Sequence, residues 1–386
     1  MTINRQFYRL ITIISAGKLS LVLVGLLILF SICGALLPQE GLWTQENIEN
    51  WQLTHPLATK IFQPLGLFHV FHSITFLICI ILLSINTLTC TLLYIKKKGG
   101  LSWLKRPEAL KNTGFIALHL SLLLLFAGGF WSSSTRMDGY IVLTEGQTFT
   151  ETHENYLKLL EGPLRQENHQ GFSVSLKKVK IKYQKNRYPL EIISELKFQG
   201  KNNQIVEGAV QVNKPYEFQG LHFTQDKTGF SPRLIIQKTS NGELMVNSYI
   251  ALQTFSSQNG KEYRDYLPLP FFDSRVMLSL YPSFLKQENE YIKTGEEPDN
   301  PILLLETENE EEKKFEFQGA ISLGEKIEIG DYSIEFTDLR YWSAFRVVED
   351  HGYILIQIAL WFGMAALLFR YIPDLFKWLI PVKNRS

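Results

Sequence analysis

The chain has 386 residues, of which 45% are hydrophobic, 13% aromatic and 20% charged. Its 39 lysines and arginines almost balance its 38 aspartates and glutamates, and it contains only three cysteines. This composition excludes a uniformly basic nucleic-acid-binding protein and a disulfide-rich secreted scaffold. The length is sufficient for two or three domains.

The apolar residues are concentrated in four blocks, at residues 19–37, 71–95, 114–131 and 352–370. Because a membrane-spanning helix needs about 20 mostly apolar residues, each block predicts a transmembrane helix. The first block has 19 uncharged residues, whereas the apolar region of a signal peptide has about 7–15, and no Ala-x-Ala cleavage site follows. We therefore expect an uncleaved anchor.

Charge predicts the topology of these helices. Segments 1–18, 96–113 and 371–386 are rich in lysine and arginine, which predicts a cytoplasmic location by the positive-inside rule. Segment 38–70 has one lysine against three glutamates and is predicted to be extracytoplasmic. Four spans then place residues 132–351 on the same extracytoplasmic side.

The long segment between the third and fourth blocks is acidic and β-rich. Residues 132–350 contain 25 lysines and arginines against 33 aspartates and glutamates, a net charge of −8. This charge disfavours binding to nucleic acid or anionic lipid and suits either solubility or a basic partner. The region from Phe172 to Tyr183 alternates apolar and polar residues, and a slip between Leu176 and Val179 predicts a β-bulge.

Turn signals divide this segment into hairpins. Thr239–Gly242 contains an Asn-Gly turn, and Gly330-Asp331 and Gly200–Asn203 also separate strand-like sequences. The acidic stretch Gln287–Pro301 is predicted to be a loop. The fold class is therefore a polytopic α-helical membrane protein, with three helices before and one after a large extracytoplasmic β-rich domain. That domain is expected to be a sandwich or two linked β-subdomains.

The sequence contains few motifs of known chemistry. The P-loop, G-x-S-x-G, H-E-x-x-H and C-x-x-C patterns are absent, and we predict no catalytic residue. All three cysteines lie in membrane blocks, where they are expected to be packing residues. His153, His169 and His222 of the β-rich segment lie far apart in sequence, so we expect no metal site from them.

The histidines near the membrane are the main candidates for a functional site. His119 lies about 7–8 Å inside the third helix, where its ring either binds a ligand such as haem iron or hydrogen-bonds to a neighbouring helix. His72 lies at the outer end of the second helix, on one helical face with His69. His351 lies at the outer end of the fourth helix. They are weaker cofactor-binding candidates and are otherwise interfacial polar residues. No acidic residue lies within a span, which disfavours an ion-coupled transporter.

Five sequence segments, taken in order along the chain, together form a recognisable pattern. They are LSLVLVGLLILFSICGALLPQ (Leu19–Gln39), SINTLTCTLLYIKK with Asn86 and Cys90, GFIALHLSLLLLFAGGF followed by GYIVLTEGQ (Gly114–Gln147), VNKPYEFQGLHFTQ (Val212–Gln225) and YWSAFRVVEDHGYILI (Tyr341–Ile356). In this order they resemble the ResB/CcsB proteins of the System II cytochrome c biogenesis pathway. The resemblance covers the whole chain but is weak in residues 235–320. The family usually has Asp-Pro-Gly where this chain has Asp350-His351-Gly352, so His351 has no family role to inherit.

The resemblance implies a role, a partner and a ligand. ResB/CcsB proteins work with a polytopic partner, ResC/CcsA, whose tryptophan-rich WWD haem-handling loop this chain lacks. The two proteins are thought to move haem across the membrane and attach it to the C-x-x-C-H motif of apocytochrome c. His119 matches the family's histidine in the third helix, which is regarded as one axial haem ligand paired with a partner histidine. Ser121, Gly128 and Gly129 are expected to allow close helix packing.

Two other functions are compatible with the residues. One is a membrane-anchored extracytoplasmic scaffold or binding protein without its own haem site. The other is a membrane hydrolase, for which no nucleophile–base pair is visible. Within the family interpretation the chain is at most the accessory half of a haem-lyase-like complex, surrounded by membrane lipid. Because no transit peptide precedes Leu19, the bacterial cytoplasmic membrane is favoured over the thylakoid.

Overall fold

The computed structural model divides the chain into two compact units, Met1–Ser133 with His351–Ser386, and Ser134–Asp350. The residues it describes are 9, 11–40, 43, 45–100, 102, 109–165, 169–184, 189–202, 204–257, 260–267, 275–288, 290–309 and 314–379.

The first unit is helical. Its helices are α1 (Gly17–Leu36), α2 (Gln45–Thr54), α3 (Pro56–Phe62), a 3₁₀ helix (Leu67–His72), α4 (Ile74–Lys97), α5 (Ala109–Thr135) and α6 (Gly352–Leu379). Four of them, α1, α4, α5 and α6 as far as Ile372, are long and apolar enough to cross a membrane. The predicted polytopic architecture, with three spans before the strand-rich segment and one after it, is confirmed.

Capping and packing shift the helix ends from the bounds of the apolar blocks. Helix α4 begins at Ile74 because Ser73 caps it. The Ser73 Oγ accepts a hydrogen bond from the Phe76 amide at 3.2 Å and donates one to the Val70 carbonyl at 2.7 Å. Helix α5 extends beyond the apolar block 114–131 at both ends.

Two buried amides fix the position of α1 against its neighbours. Asn86 of α4 accepts a hydrogen bond from the Ser20 hydroxyl at 2.7 Å and donates one to the Ala16 carbonyl at 3.3 Å. Gln39, just after α1, bonds two backbone groups of the 3₁₀ helix at 2.9 and 3.2 Å. Polar pairs of this kind hold helices in register within an apolar environment.

The described part of the second unit contains 18 strands, all paired antiparallel. They are β1 (Met137–Thr144), β2 (Thr148–Thr150), β3 (Lys158–Glu161), β4 (Ser173–Tyr183), β5 (Pro189–Gln199), β6 (Ile205–Gln211), β7 (Tyr216–Phe218), β8 (Leu221–Lys238), β9 (Leu244–Tyr249), β10 (Gln253–Ser257), β11 (Gly260–Leu267), β12 (Val276–Tyr281), β13 (Ser283–Gln287), β14 (Glu290–Gly295), β15 (Ile302–Asn309), β16 (Lys314–Ser322), β17 (Lys326–Ile329) and β18 (Tyr332–Glu349).

The two longest strands, β8 and β18, connect two apolar cores. They pair along their length in a seven-stranded sheet of order β3-β1-β18-β8-β7, with β9 on β8 and β17 on β18. One half of this sheet shares an apolar core with the sheet β2-β4-β5-β6, and this core includes Leu176, Phe198 and Phe345. The other half shares a second core with the sheet β10-β11-β12-β15-β16, and that core includes Leu278 and Phe336. The unit is therefore two linked sandwich-like subdomains, one of the two predicted alternatives.

Local turn chemistry predicts three of the hairpins correctly. The turns at Thr239–Gly242, Gly330-Asp331 and Gly200–Asn203 connect β8 to β9, β17 to β18 and β5 to β6, although Asn203 itself lies outside the described residues. The predicted bulge is confirmed as a register shift between Leu176 and Lys178.

The predicted loop Gln287–Pro301 is wrong in its first half, where β13 and β14 form a two-stranded hairpin. Tyr291 supports this hairpin because its ring lies 5.7 Å from that of Phe284, and the Lys286 ammonium lies 5.3 Å above it. Cross-strand aromatic and cation–π contacts of this kind stabilise a strand pair whose composition is mostly polar.

Candidate functional site

His119 is held in a defined orientation in the first half of α5. Its half-buried ring places Nδ1 2.9 Å from the carbonyl oxygen of Phe115, one turn earlier. Because a carbonyl oxygen only accepts hydrogen bonds, Nδ1 carries the hydrogen, and Nε2 of the neutral ring holds the lone pair. A lone pair on an imidazole nitrogen is what binds a metal, so the local structure prepares Nε2 as a ligand atom.

Aromatic and amide groups lie next to His119 on the same face of α5. The Phe115 ring centroid is 4.1 Å from the imidazole centroid, and that of Tyr94, near the end of α4, is 4.3 Å from Phe115. The Tyr94 hydroxyl donates to Oδ1 of Asn112 at 2.6 Å. Asn112 is buried, and its Nδ2 has no hydrogen-bond partner within the described part of the chain. An unpaired buried donor costs about 1–3 kcal/mol, so an acceptor placed beside it would stabilise the site.

Helices α5 and α6 pack antiparallel along a seam of close approaches. The facing pairs are Gly114–Arg370, Ser121–Gly363, Gly128–Ile356 and Ser132–Gly352. The first three pairs recur every seven residues, which is the repeat of a left-handed helix pair. The expected close packing at Ser121 and Gly128 is confirmed. The expectation for Gly129 is wrong, since a Cβ there would meet nothing within 4 Å among the described residues.

His119 lies on a different face of α5 from this seam. At about 100° per residue, it lies about 160° around the helix from Ser121 and about 140° from Gly114. The face that carries Asn112, Phe115 and His119 therefore points away from α6.

The structure does not bring the two weaker candidates to His119. His72 is exposed at the start of α4, whereas His119 lies near the opposite end of that helix, about 30 Å further along. His351 is exposed and precedes Gly352, which packs on Ser132. Ser132 is 13 residues from His119, or about 20 Å along α5. His72, His119 and His351 therefore do not form one site.

The expected shared helical face of His69 and His72 is wrong. The backbone of His69 has φ −139° and ψ 50°, which interrupts the 3₁₀ helix between the two residues. The His69 Nδ1 instead lies 3.7 Å from Glu40 Oε2, and both side chains are largely exposed. This geometry is that of a surface pair with little energetic weight.

Two histidines of the second unit are neighbours although the sequence separates them. The ring centroids of His153 and His169 are 5.6 Å apart, and Glu161 approaches both rings. The expectation of no metal site stays a prediction, but the separation of these two histidines in sequence does not keep them apart in the fold. The contact depends on the chain returning beside the end of β2, where the Gly171 amide bonds the Glu151 carbonyl at 3.1 Å. No local sequence pattern signals such a return.

Comparison with known proteins connects both units to one family. A sequence model described as the ResB-like family matches residues 18–94 and 106–372. The matched segments include most of the four spanning helices and the whole strand-rich unit. His119 and Asn112 lie within them. A search of curated proteins finds no significant match.

Proposed function

The chain belongs to the ResB-like family, which acts in cytochrome c biogenesis, and from this premise we propose that it takes part in moving haem across a membrane and attaching it to apocytochrome c. The ResB family is generally paired with a ResC/CcsA partner, and the two proteins would share this work. In the proposal this chain is the accessory half of the complex.

The observation that carries the proposal is the orientation of His119. Its Nδ1 hydrogen is committed to the Phe115 carbonyl at 2.9 Å, which leaves Nε2 for the iron of haem. The ring lies on the face of α5 that α6 does not cover. A histidine from a helix of the partner would supply the second axial ligand at that face.

The other groups on this face suit haem as a cargo. Haem carries two carboxylates, and Nδ2 of Asn112, which no described residue pairs, would donate a hydrogen bond to an acceptor of that kind. Asn112 lies seven residues before His119, or about 10 Å along the helix. The rings of Phe115 and Tyr94 supply apolar surface between the two polar groups. The donor set of this chain therefore fits the ligand that the family implies.

The helix pairing supports uptake of haem from the cytoplasmic side. The start of α1 meets the middle of α4 through Ser20 and Asn86, and Tyr94, near the end of α4, meets the start of α5. Gly114, also near the start of α5, meets Arg370 of α6, near the end of the part of α6 that can span a membrane. One end of the helical unit therefore carries the basic residues Lys96, Lys97, Lys111 and Arg370, and Lys18 lies at the end of α1 that is nearer to them. By the positive-inside rule that end would face the cytoplasm, in a bacterial cytoplasmic membrane, with residues 134–350 on the other side.

The charge of the second unit suits its proposed partner. A net charge of −8 over residues 132–350 would favour encounter with a basic apocytochrome. Binding of apocytochrome to the purified chain is then expected to weaken as salt concentration rises. An affinity that is independent of salt would contradict this part of the proposal.

The proposal is tested by covalent haem attachment in cells. A strain without its own ResB-type protein would express a reporter apocytochrome c, the ResC/CcsA-type partner and either the wild-type chain or a variant. We expect the wild-type chain to restore haem-stained reporter, His119→Ala to restore little of it, and His351→Ala, as the matched control, to match the wild type. No restoration by the wild-type chain at normal membrane levels would refute the function. Equal restoration by His119→Ala would refute the role of His119.

A further inference from the structure

A cluster of metal-binding side chains lies in the second unit, apart from the membrane histidine. His153 is in a short 3₁₀ turn, Glu161 ends β3, and His169 follows in the next loop. Strand β3 is fixed because it pairs with β1, where Glu161 lies opposite Met137. One ligand atom from each of the three side chains lies within 4.8 Å of the other two.

The distances within this cluster are close to those of a coordination shell. The Nδ1 of His153 is 3.1 Å from Oε2 of Glu161, and the Nε2 of His169 is 3.7 Å from Oε1 of the same carboxylate. Two ligand atoms bound to a tetrahedral zinc ion at about 2.0–2.1 Å are about 3.3 Å apart. Because the three ligand atoms lie within 4.8 Å of one another, side-chain movements of about 1 Å would bring them around one ion.

The orientation of His169 is the strongest sign of a metal ligand. Its side chain is 10% exposed, and its Nδ1 lies 2.6 Å from Oε1 of Glu151, whose side chain is 1% exposed. The Glu151 carboxylate also accepts hydrogen bonds from the amides of Gln170 and Gly171 and from the Tyr156 hydroxyl. A carboxylate so held accepts the Nδ1 hydrogen and leaves the lone pair on Nε2, which is the arrangement behind metal-bound histidines.

The Nε2 of His169 lacks a hydrogen-bond partner within the described residues, although it is buried. Leaving a buried polar atom unpaired is unfavourable. Coordination of a cation would satisfy this lone pair. His153 is different, because its side chain is 54% exposed and opens the cluster to solvent.

The charge of the cluster favours a dication. Glu151, Glu161 and Glu349 supply three carboxylates, and Arg165 supplies one guanidinium. The Arg165 side chain is 6% exposed, and its Nε lies 2.9 Å from Oε1 of Glu161, which leaves Oε2 for an ion. With neutral imidazoles these four charged groups sum formally to −2, which one divalent ion would balance.

We propose that His153, Glu161 and His169 form a binding site for a divalent transition-metal ion of the zinc class, with a fourth coordination position open to solvent. Imidazole and carboxylate together suit zinc better than calcium or magnesium, which prefer all-oxygen sites. Three protein ligands and an open position are the pattern of an ion that binds a further group. The site is independent of the proposed haem function.

The test is a titration of the full chain, purified in detergent and stripped with a chelator, with Zn²⁺ by calorimetry. We expect one tight Zn²⁺ per chain in the wild type. Because His153 is exposed, His153→Ala is expected to leave the protein folded. This variant is expected to weaken Zn²⁺ binding more than about 10-fold. Glu151→Gln, which alters the group behind His169, is expected to weaken binding about 10–100-fold.

The matched control is His222→Ala, which removes an exposed histidine of the same unit outside the cluster. It is expected to bind Zn²⁺ as the wild type does, which would show that losing a histidine lowers the affinity only when the histidine belongs to the cluster. No tight Zn²⁺ in the wild type, or equal affinity in the wild type and His153→Ala, would overturn the proposal. The cluster would then be an ion-paired group without a metal.

Discussion

The substitution Gly114→Ala tests the packing of α5 on α6. A Cβ at residue 114 would lie 2.6 Å from the backbone nitrogen of Arg370, 2.8 Å from its Cα and 3.0 Å from the carbonyl oxygen of Ala366. Carbon atoms pack at about 3.5–4.0 Å, so the helices must separate locally by about 1 Å. All three neighbours are backbone atoms, which cannot rotate away as a side chain can. Overpacking of this kind typically costs about 1–3 kcal/mol.

The matched control for this experiment is Gly129→Ala on the same helix, where a Cβ would meet no atom of the structurally described chain within 4 Å. Both substitutions replace glycine by alanine and therefore gain similar helix propensity. Unfolding in detergent, followed by circular dichroism, is expected to show Gly114→Ala less stable than Gly129→Ala by about 1–3 kcal/mol. Equal stability of the two variants would refute the close approach at Gly114.

Three further substitutions test the account elsewhere. Burial tends to raise the pKa of Asp138, but its hydrogen bonds and charge interactions, led by those with Arg346, hold this pKa below its usual value. The ionised carboxyl therefore stabilises the second unit above about pH 4, and this stabilisation is lost as the pH falls. Asp138→Asn is expected to lower the Tm at pH 7 but hardly at pH 3. An equal decrease in Tm at both pH values would contradict this prediction. The buried Nε1 of Trp342 donates a hydrogen bond to the Leu252 carbonyl at 2.9 Å. Trp342→Phe is therefore expected to lower the free energy of unfolding in urea by about 1–3 kcal/mol. An unchanged urea midpoint would argue against that bond. Asn86→Ala removes the buried amide that is hydrogen-bonded to α1. It is expected to lower the free energy of unfolding in detergent by about 1 kcal/mol, measured by thermal unfolding. An unchanged Tm would count against this role of Asn86.

The sequence predicts the membrane architecture well because the bilayer imposes a simple rule. A helix of about 20 apolar residues satisfies its own backbone groups within the bilayer, so length and hydropathy are sufficient to identify such a span. Hairpins such as the one at Thr239–Gly242 follow from local turn chemistry. The β13–β14 hairpin was missed because it depends on the contacts of one tyrosine, Tyr291, within a polar stretch.

The sequence predicts the sites only in part. His119 is identified because a polar ring in an apolar helix is unusual. The orientation of its Nε2 depends on the bond to Phe115, and the orientation of the Asn112 amide depends on where Tyr94 places its hydroxyl. The approach of His153 to His169 depends on a returning loop, and contacts between distant parts of a chain have no local signature.

The absorption spectrum of the chain, purified together with its ResC/CcsA-type partner, tests the role of His119 most directly. We predict a Soret band in the wild type that falls in His119→Ala and returns when imidazole is added, since free imidazole replaces the missing ligand. His72→Ala, which lies about 30 Å away along α4, is expected to keep the wild-type spectrum. A colourless wild-type complex, or equal haem in the wild type and His119→Ala, would contradict the account.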